Sequence, residues 1–321
     1  MPHVQEHNMS LTFNHQTNDI SNATGTVTFN GTAVGADNTP PPPYFGSRGL
    51  FGGGAPDHLD YVTIATTGNA TNFGDLTSGS WGLSACSNGA RGIFGGAAGS
   101  NLIEYVTIAT AGNATDFGDL TVARSKSAAC SNGISGIFGG GNDTVVNVID
   151  YVTIATAGNA QDFGDLTVAR KELAACSDGT YGLFGGGYAA SDSNVIDYVT
   201  IATAGNAQDF GDLTVARDGL ASCSNRTYGL FGGGTDSDWS NVIDYVTIAT
   251  TGNASDFGDL TVARKNPASC SDGARGIFGG GLASGTNTNV IDYVTIATTG
   301  NGTDFGDLTV ARRLLAACSG T

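Results

Sequence analysis

From Gly46 onward the chain sets short apolar runs between turn residues in a fixed order. One pass from Arg170 to Arg217 shows the grammar. Arg170-Lys-Glu-Leu-Ala-Ala-Cys-Ser-Asp-Gly179 reads as a short apolar strand closing on a turn, and Thr180-Tyr-Gly-Leu-Phe-Gly-Gly-Gly187 as a second strand ending on three glycines. After a loop, Asn194-Val-Ile-Asp-Tyr-Val-Thr-Ile-Ala-Thr203 is rich in the β-branched and aromatic side chains that a pleated, half-buried surface accepts. Ala204-Gly-Asn-Ala207 turns the chain into a fourth strand predicted over 208–217.

This unit recurs. The phrase Asp-Tyr-Val-Thr-Ile-Ala-Thr starts at Asp60, Asp150, Asp197, Asp244 and Asp292, with an acidic variant at Glu104, a spacing of 44 to 48 residues. A unit of this size cannot bury its own apolar face and must lean on its neighbours. Six units of four short strands predict an all-β fold, a six-bladed β-propeller over residues 46–321. The chain enters that region on a second strand, at 47–54, and ends on an orphan first strand, at 312–321. Pairing the two closes the ring and removes the exposed strand edges of an open stack.

The order of signals resembles the kelch repeat: an Arg before the first strand, a glycine doublet ending the second, an acidic–aromatic pair in the third and an aromatic in the fourth. Where kelch repeats carry Trp in the last strand, this chain has Phe73, Phe117, Phe163, Phe210, Phe257 and Phe305. The resemblance implies a propeller whose loop face binds partners.

Composition narrows the function. A net charge of −16 with only three lysines argues against binding to nucleic acid or to an anionic membrane surface. No stretch reaches the length of a membrane span, and the first thirty residues lack a basic start followed by an apolar core. The six cysteines, Cys86, Cys130, Cys176, Cys223, Cys270 and Cys318, occupy one position of the repeat. A blade spacing separates them too far for disulfides, so they read as small buried thiols.

Signals for catalysis are sparse. The acidic residue before each Tyr, and Asp75, Asp119, Asp165, Asp212, Asp259 and Asp307, recur in every unit and read as turn caps or partners of Arg124, Arg170, Arg217, Arg264 and Arg312. Three of four histidines, His3, His7 and His15, precede the repeats, so no copper site of the galactose oxidase kind is expected. No metal, cofactor or enzymatic activity is expected. The loop between second and third strands, by contrast, differs in every unit and lengthens along the chain, from 55–59 to 282–291. His58, Tyr188, Asp192, Asp236, Asp238 and Trp239 in or beside these loops are the expected ligand-binding residues, because exposed aromatics next to polar groups suit sugar or protein contacts.

Residues 1–45 differ in character. They are Asn- and Thr-rich, with a strand-like Gly25-Thr-Val-Thr-Phe-Asn30 and four consecutive prolines at 40–43 that form a stiff spacer. Leu11, Phe13, Val27 and Phe29 are the expected docking residues of this arm. The segments 10–15 and 26–31 are similar to starts of structural proteins of marine bacteriophages. That similarity implies a virion protein, a fiber, spike or decoration protein made in the host cytoplasm. Its expected partners are other virion proteins or copies of itself through the arm, and a host-surface glycan or protein through the head. A kelch-type interaction module and a glycan-active propeller enzyme are the alternatives.

Overall fold

The computed structural model describes residues 45–54, 57–77, 81–142 and 145–321, and before these only the backbone of four short strands, Thr12–Asn14, Asp19–Ser21, Thr28–Phe29 and Thr32–Ala33. The chain divides into two compact units, Met1–Pro42 and Pro43–Thr321. In the first, the strands form two small antiparallel hairpins, with Phe13 opposite Ile20 and Phe29 opposite Thr32. Leu11, Val27 and the proline spacer lie outside the described residues.

The second unit is a six-bladed β-propeller. Each blade is an antiparallel sheet of four strands in chain order, as in Ala174–Ser177, Tyr181–Gly185, Val195–Thr200 and Gln208–Asp212. The fourth strand stops at Asp212, short of the expected Arg217, because the chain there leaves the sheet to cross to the next blade. In the first blade the innermost strand is the C-terminal Leu315–Gly320, paired with Arg48–Gly53 so that Cys318 faces Leu50. The ring is thus closed by hydrogen bonds between the two ends of the repeat region.

Three devices join neighbouring blades, and each explains a repeated residue. First, Phe231 of the fifth blade lies where Gly185 of the fourth has no side chain, and Cys176 of the fourth lies where Gly229 of the fifth has none. A β-carbon at Gly185 would sit 2.6 Å from the Phe231 ring, and one at Gly229 2.6 Å from the Cys176 sulfur. The same exchange of knobs and sockets runs round the ring, including Phe51 over Gly279 and Cys270 over Gly49 at the seam. All six thiols are buried and free, and burial pushes Cys223 and Cys318 up to about 12.

Second, the Gly-Asn-Ala turn of one blade caps the outer strand of the blade before it. Gly205 N–H donates to the Phe163 carbonyl (2.7 Å), Ala207 N–H to the Asp165 carbonyl (2.8 Å), and the Asp165 N–H to Asn206 Oδ1 (3.1 Å). Each fourth strand's free edge is therefore partly covered by its neighbour. These asparagines, some of them in glycosylation-type sequons, already have a structural role.

Third, five of the six crossovers carry a buried ion pair. Arg217 Nη2 donates to Asp244 Oδ2 and to the Phe231 carbonyl, both at 3.0 Å, while Thr214 donates to Asp244 through its N–H (3.2 Å) and hydroxyl (2.6 Å). Equivalent pairs join Arg124–Asp150, Arg170–Asp197, Arg264–Asp292 and Arg312–Asp60. The arginines are at most 1% exposed, so they brace the core. The third-strand tyrosines are half-buried: three lie under Arg48, Arg91 and Arg275, two are edge-on to Tyr181 and Tyr228, and Tyr151 donates to Gln161 Oε1 (2.7 Å).

Candidate functional site around the channel mouth

The six innermost strands are neighbours around the axis and line a channel. Their sequence pattern, small–small–Cys–Ser, turns the cysteine outward into the blade interface and leaves only Ala85, Ala129, Ala175, Ser222, Ser269 and Ala317 at the waist, where the channel narrows between its two ends. Toward the end away from the loop face, a chain of serine hydroxyls donates to the serine carbonyl of the preceding blade, as in Ser177 Oγ to Ser131 O (2.6 Å) and Ser224 Oγ to Ser177 O (2.7 Å).

At the other end the channel opens into a funnel whose cavity is about 100 Å³. Its rim is a closed circle of six backbone hydrogen bonds: Gly82 N–H to Leu314 O (2.8 Å), Leu314 to Asn266 (3.1 Å), Asn266 to Gly219 (2.6 Å), Gly219 to Glu172 (2.8 Å), Glu172 to Lys126 (2.8 Å) and Lys126 back to Gly82 (2.6 Å). All six residues are in the left-handed region, with φ from 56° to 74°. Four of them are not glycine, a conformation that costs free energy and persists where its surroundings fix it. The hydrogen-bond circle does so here, and it leaves the Lys126, Glu172, Asn266 and Leu314 side chains at the rim.

The residue just outside each rim position also changes from blade to blade: Trp81, Ser125, Lys171, Asp218, Lys265 and Arg313. The loops between second and third strands continue this surface, because Tyr188 exchanges backbone hydrogen bonds with Lys171, and Thr235 with Asp218. The face therefore has three concentric tiers of variable residues on an almost invariant frame.

Of the expected binding residues, Tyr188 and Asp192 lie on the fourth blade's loop and Asp236, Asp238 and Trp239 on the fifth's, so five of the six share adjacent blades. Tyr188 is 36% exposed and Lys171 Nζ sits 5.8 Å from its ring centroid. Asp236 is exposed and held below the ordinary carboxylate range by the backbone N–H groups of Ser237 and Asp238. Asp238 accepts from the Trp239 backbone N–H (2.8 Å), and the half-buried indole lies beside Gly285 of the sixth blade's loop. His58 is on the first blade, across the ring from these.

Several residues of this face were not singled out from sequence. Lys126 and Glu172 form an ion pair of 2.9 Å at the rim. Burial, then the nearby Glu172 and Asp192, push the Asp218 carboxyl up to about 7 against the opposing pull of Lys265 and Lys126. Asp192 is raised as well, by burial and then by Asp236. The signal that would have found them is the pair of residues after each repeated Arg, which varies in every unit.

The structure also gathers Asp57, His58 and Asp75, whose ligand atoms all lie within 4.8 Å of one another, although no metal was expected from the sequence. No family model matches the chain, and a search of curated proteins finds no match.

Proposed function

We propose that the chain is a non-enzymatic binding protein of kelch-like architecture whose propeller takes its ligand on the rim and loop face. The observation that carries this reading is the contrast between frame and face. Blade packing repeats nearly unchanged six times, while no two blades carry the same pair of residues at the channel mouth. Packing alone sets no requirement for that diversity, whereas recognition of an asymmetric ligand does. The recurring carboxylates before the tyrosines favour the same reading, since in five blades they are bound to arginine and have no freedom to act on a substrate.

The finer assignment is a virion structural protein, docked to its particle through residues 1–45 and presenting the propeller to a host-surface glycan or protein. It is supported by the arm's resemblance to phage structural proteins, the proline spacer and the acidic, disulfide-free head. Glycan-array and host-surface binding by the head, compared with Tyr188→Ala and Trp239→Ala, tests the binding face. Loss of binding in both variants at unchanged melting temperature is the expected result, and undiminished binding overturns the site. Particle incorporation of a chain lacking residues 1–45 separately sinks the docking role.

A further inference from the structure

We propose that Asp57, His58 and Asp75 form a binding site for a first-row divalent transition-metal cation of the Zn²⁺ type. The argument is an internal comparison that the six blades make possible. Asp57 O accepts from the Leu76 N–H, as Asn101, Asn147, Asn194, Asn241 and Asn289 accept from the corresponding leucines. His58 is paired across the sheet with Asp75, as Leu102, Val148, Val195, Val242 and Val290 are with their aspartates.

Five blades thus place an amide and an aliphatic residue beside this aspartate, and the first places a carboxylate and an imidazole. The outcome is three donors converging at one end of one hairpin. His58 Nδ1 lies 2.9 Å from Asp75 Oδ1, and all three ligand atoms fall within 4.8 Å. Donors about 3.3 Å apart surround a tetrahedral zinc ion with bonds of about 2.0–2.1 Å, so small side-chain rotations suffice.

One imidazole with two carboxylates suits zinc and its neighbours better than calcium, which needs six to eight oxygens. The backbone is held in place: the His58 carbonyl accepts from Arg312 Nη1 (2.6 Å), the arginine that also pairs with Asp60 at the ring seam. Three protein ligands at half-exposed positions leave further coordination positions open to water or to a donor from a bound partner.

Zinc uptake by equilibrium dialysis and the visible spectrum of the Co²⁺-loaded full chain test the site. The variant Asp57→Asn/His58→Val carries the residues of four other blades, so it keeps the frame. Relative to it, the unmodified chain takes up one more equivalent of Zn²⁺, shows a Co²⁺ ligand-field band the variant lacks, and melts at a higher temperature on adding zinc. Changing His3, His7 and His15 to Gln leaves that band in place. Asp57→Asn alone, the milder change, weakens zinc binding at least tenfold. Equal uptake and spectra with and without Asp57 and His58, or no uptake by the unmodified chain, overturns the site and leaves His58 and Asp75 as an ion pair only.

Discussion

Replacing Arg217 by Met removes one charge from a pair that water does not reach, since the two side chains are 1% and 0% exposed. Burial lowers the Arg217 pKa more than Asp244 raises it, and in the equivalent fourth-blade pair burial likewise raises Asp197 against the pull of Arg170. Desolvation therefore outweighs attraction, so such a pair is not a net gain over apolar residues of similar volume. Breaking it is another matter: Asp244 is left buried with Thr214 as its remaining side-chain partner. Removal of one partner from a buried pair costs about 3–5 kcal/mol, and at about 2–4 °C per kcal/mol for a domain this large the melting temperature falls by roughly 6–20 °C. Asp244→Asn keeps an acceptor for Thr214, so Arg217→Met/Asp244→Asn recovers at least half of the loss. Calorimetry and urea unfolding of the two single variants and the double give the coupling between the sites. A single variant within about 1 kcal/mol of the unmodified chain, or a double variant whose loss is the sum of the two, would refute the desolvation argument.

Two further perturbations probe other parts of the frame. Gly229→Ala puts a methyl group 2.6 Å from the Cys176 sulfur and is expected to cost about 1–3 kcal/mol, most of it recovered by Cys176→Ala; denaturant midpoints check this, and an unrescued loss means that the socket is not what requires glycine. Asp218 has a folded-state pKa of about 7 against an ordinary value of 3.8, so between those values the folded chain binds more protons than the unfolded one and stability falls as pH rises. Asp218→Asn is therefore expected to melt higher than the unmodified chain at pH 8 and level with it near pH 4, and equal melting at both pH values would remove Asp218 from the titrating groups.

The architecture was legible because its causes repeat. Apolar runs set the strands, glycines mark the sockets, and an orphan first strand at the end of the chain predicts the circular pairing that Leu315–Gly320 makes with Arg48–Gly53. The burial of the cysteines followed from their repeat position. Exposure was harder to read. That Arg170 and its equivalents pair with repeated carboxylates is legible in the sequence, but only the crossing of the chain between blades shows that each guanidinium is buried under the glycine-rich strand end.

The rim was missed for a different reason. Lys126, Glu172 and Asn266 look like ordinary turn residues one unit at a time, and only the closed circle of hydrogen bonds brings them around one opening. The grouping of Asp57 with His58 and Asp75 depends on sheet register, since Asp75 is seventeen positions beyond His58 and faces it through the fold of a hairpin.

Ring closure by near-identical parts has a consequence for biosynthesis. While the nascent chain is still emerging, Arg48–Gly53 waits with a bare inner edge for the last strand of the ring. Ala128–Ser131, Ala174–Ser177 and Ala316–Ser319 share one tetrapeptide, so two earlier segments carry the same credentials as the rightful mate. Phe51 would find an equivalent socket at Gly139, Gly185 or Gly232, and Asp60 an equivalent arginine at Arg170 or Arg217. The knob, socket and ion pair of the seam recur at other joints, so these contacts do not distinguish a premature circle from the complete one. Translation that stalls before the ring's final strand leaves a sticky intermediate prone to pairing with another copy.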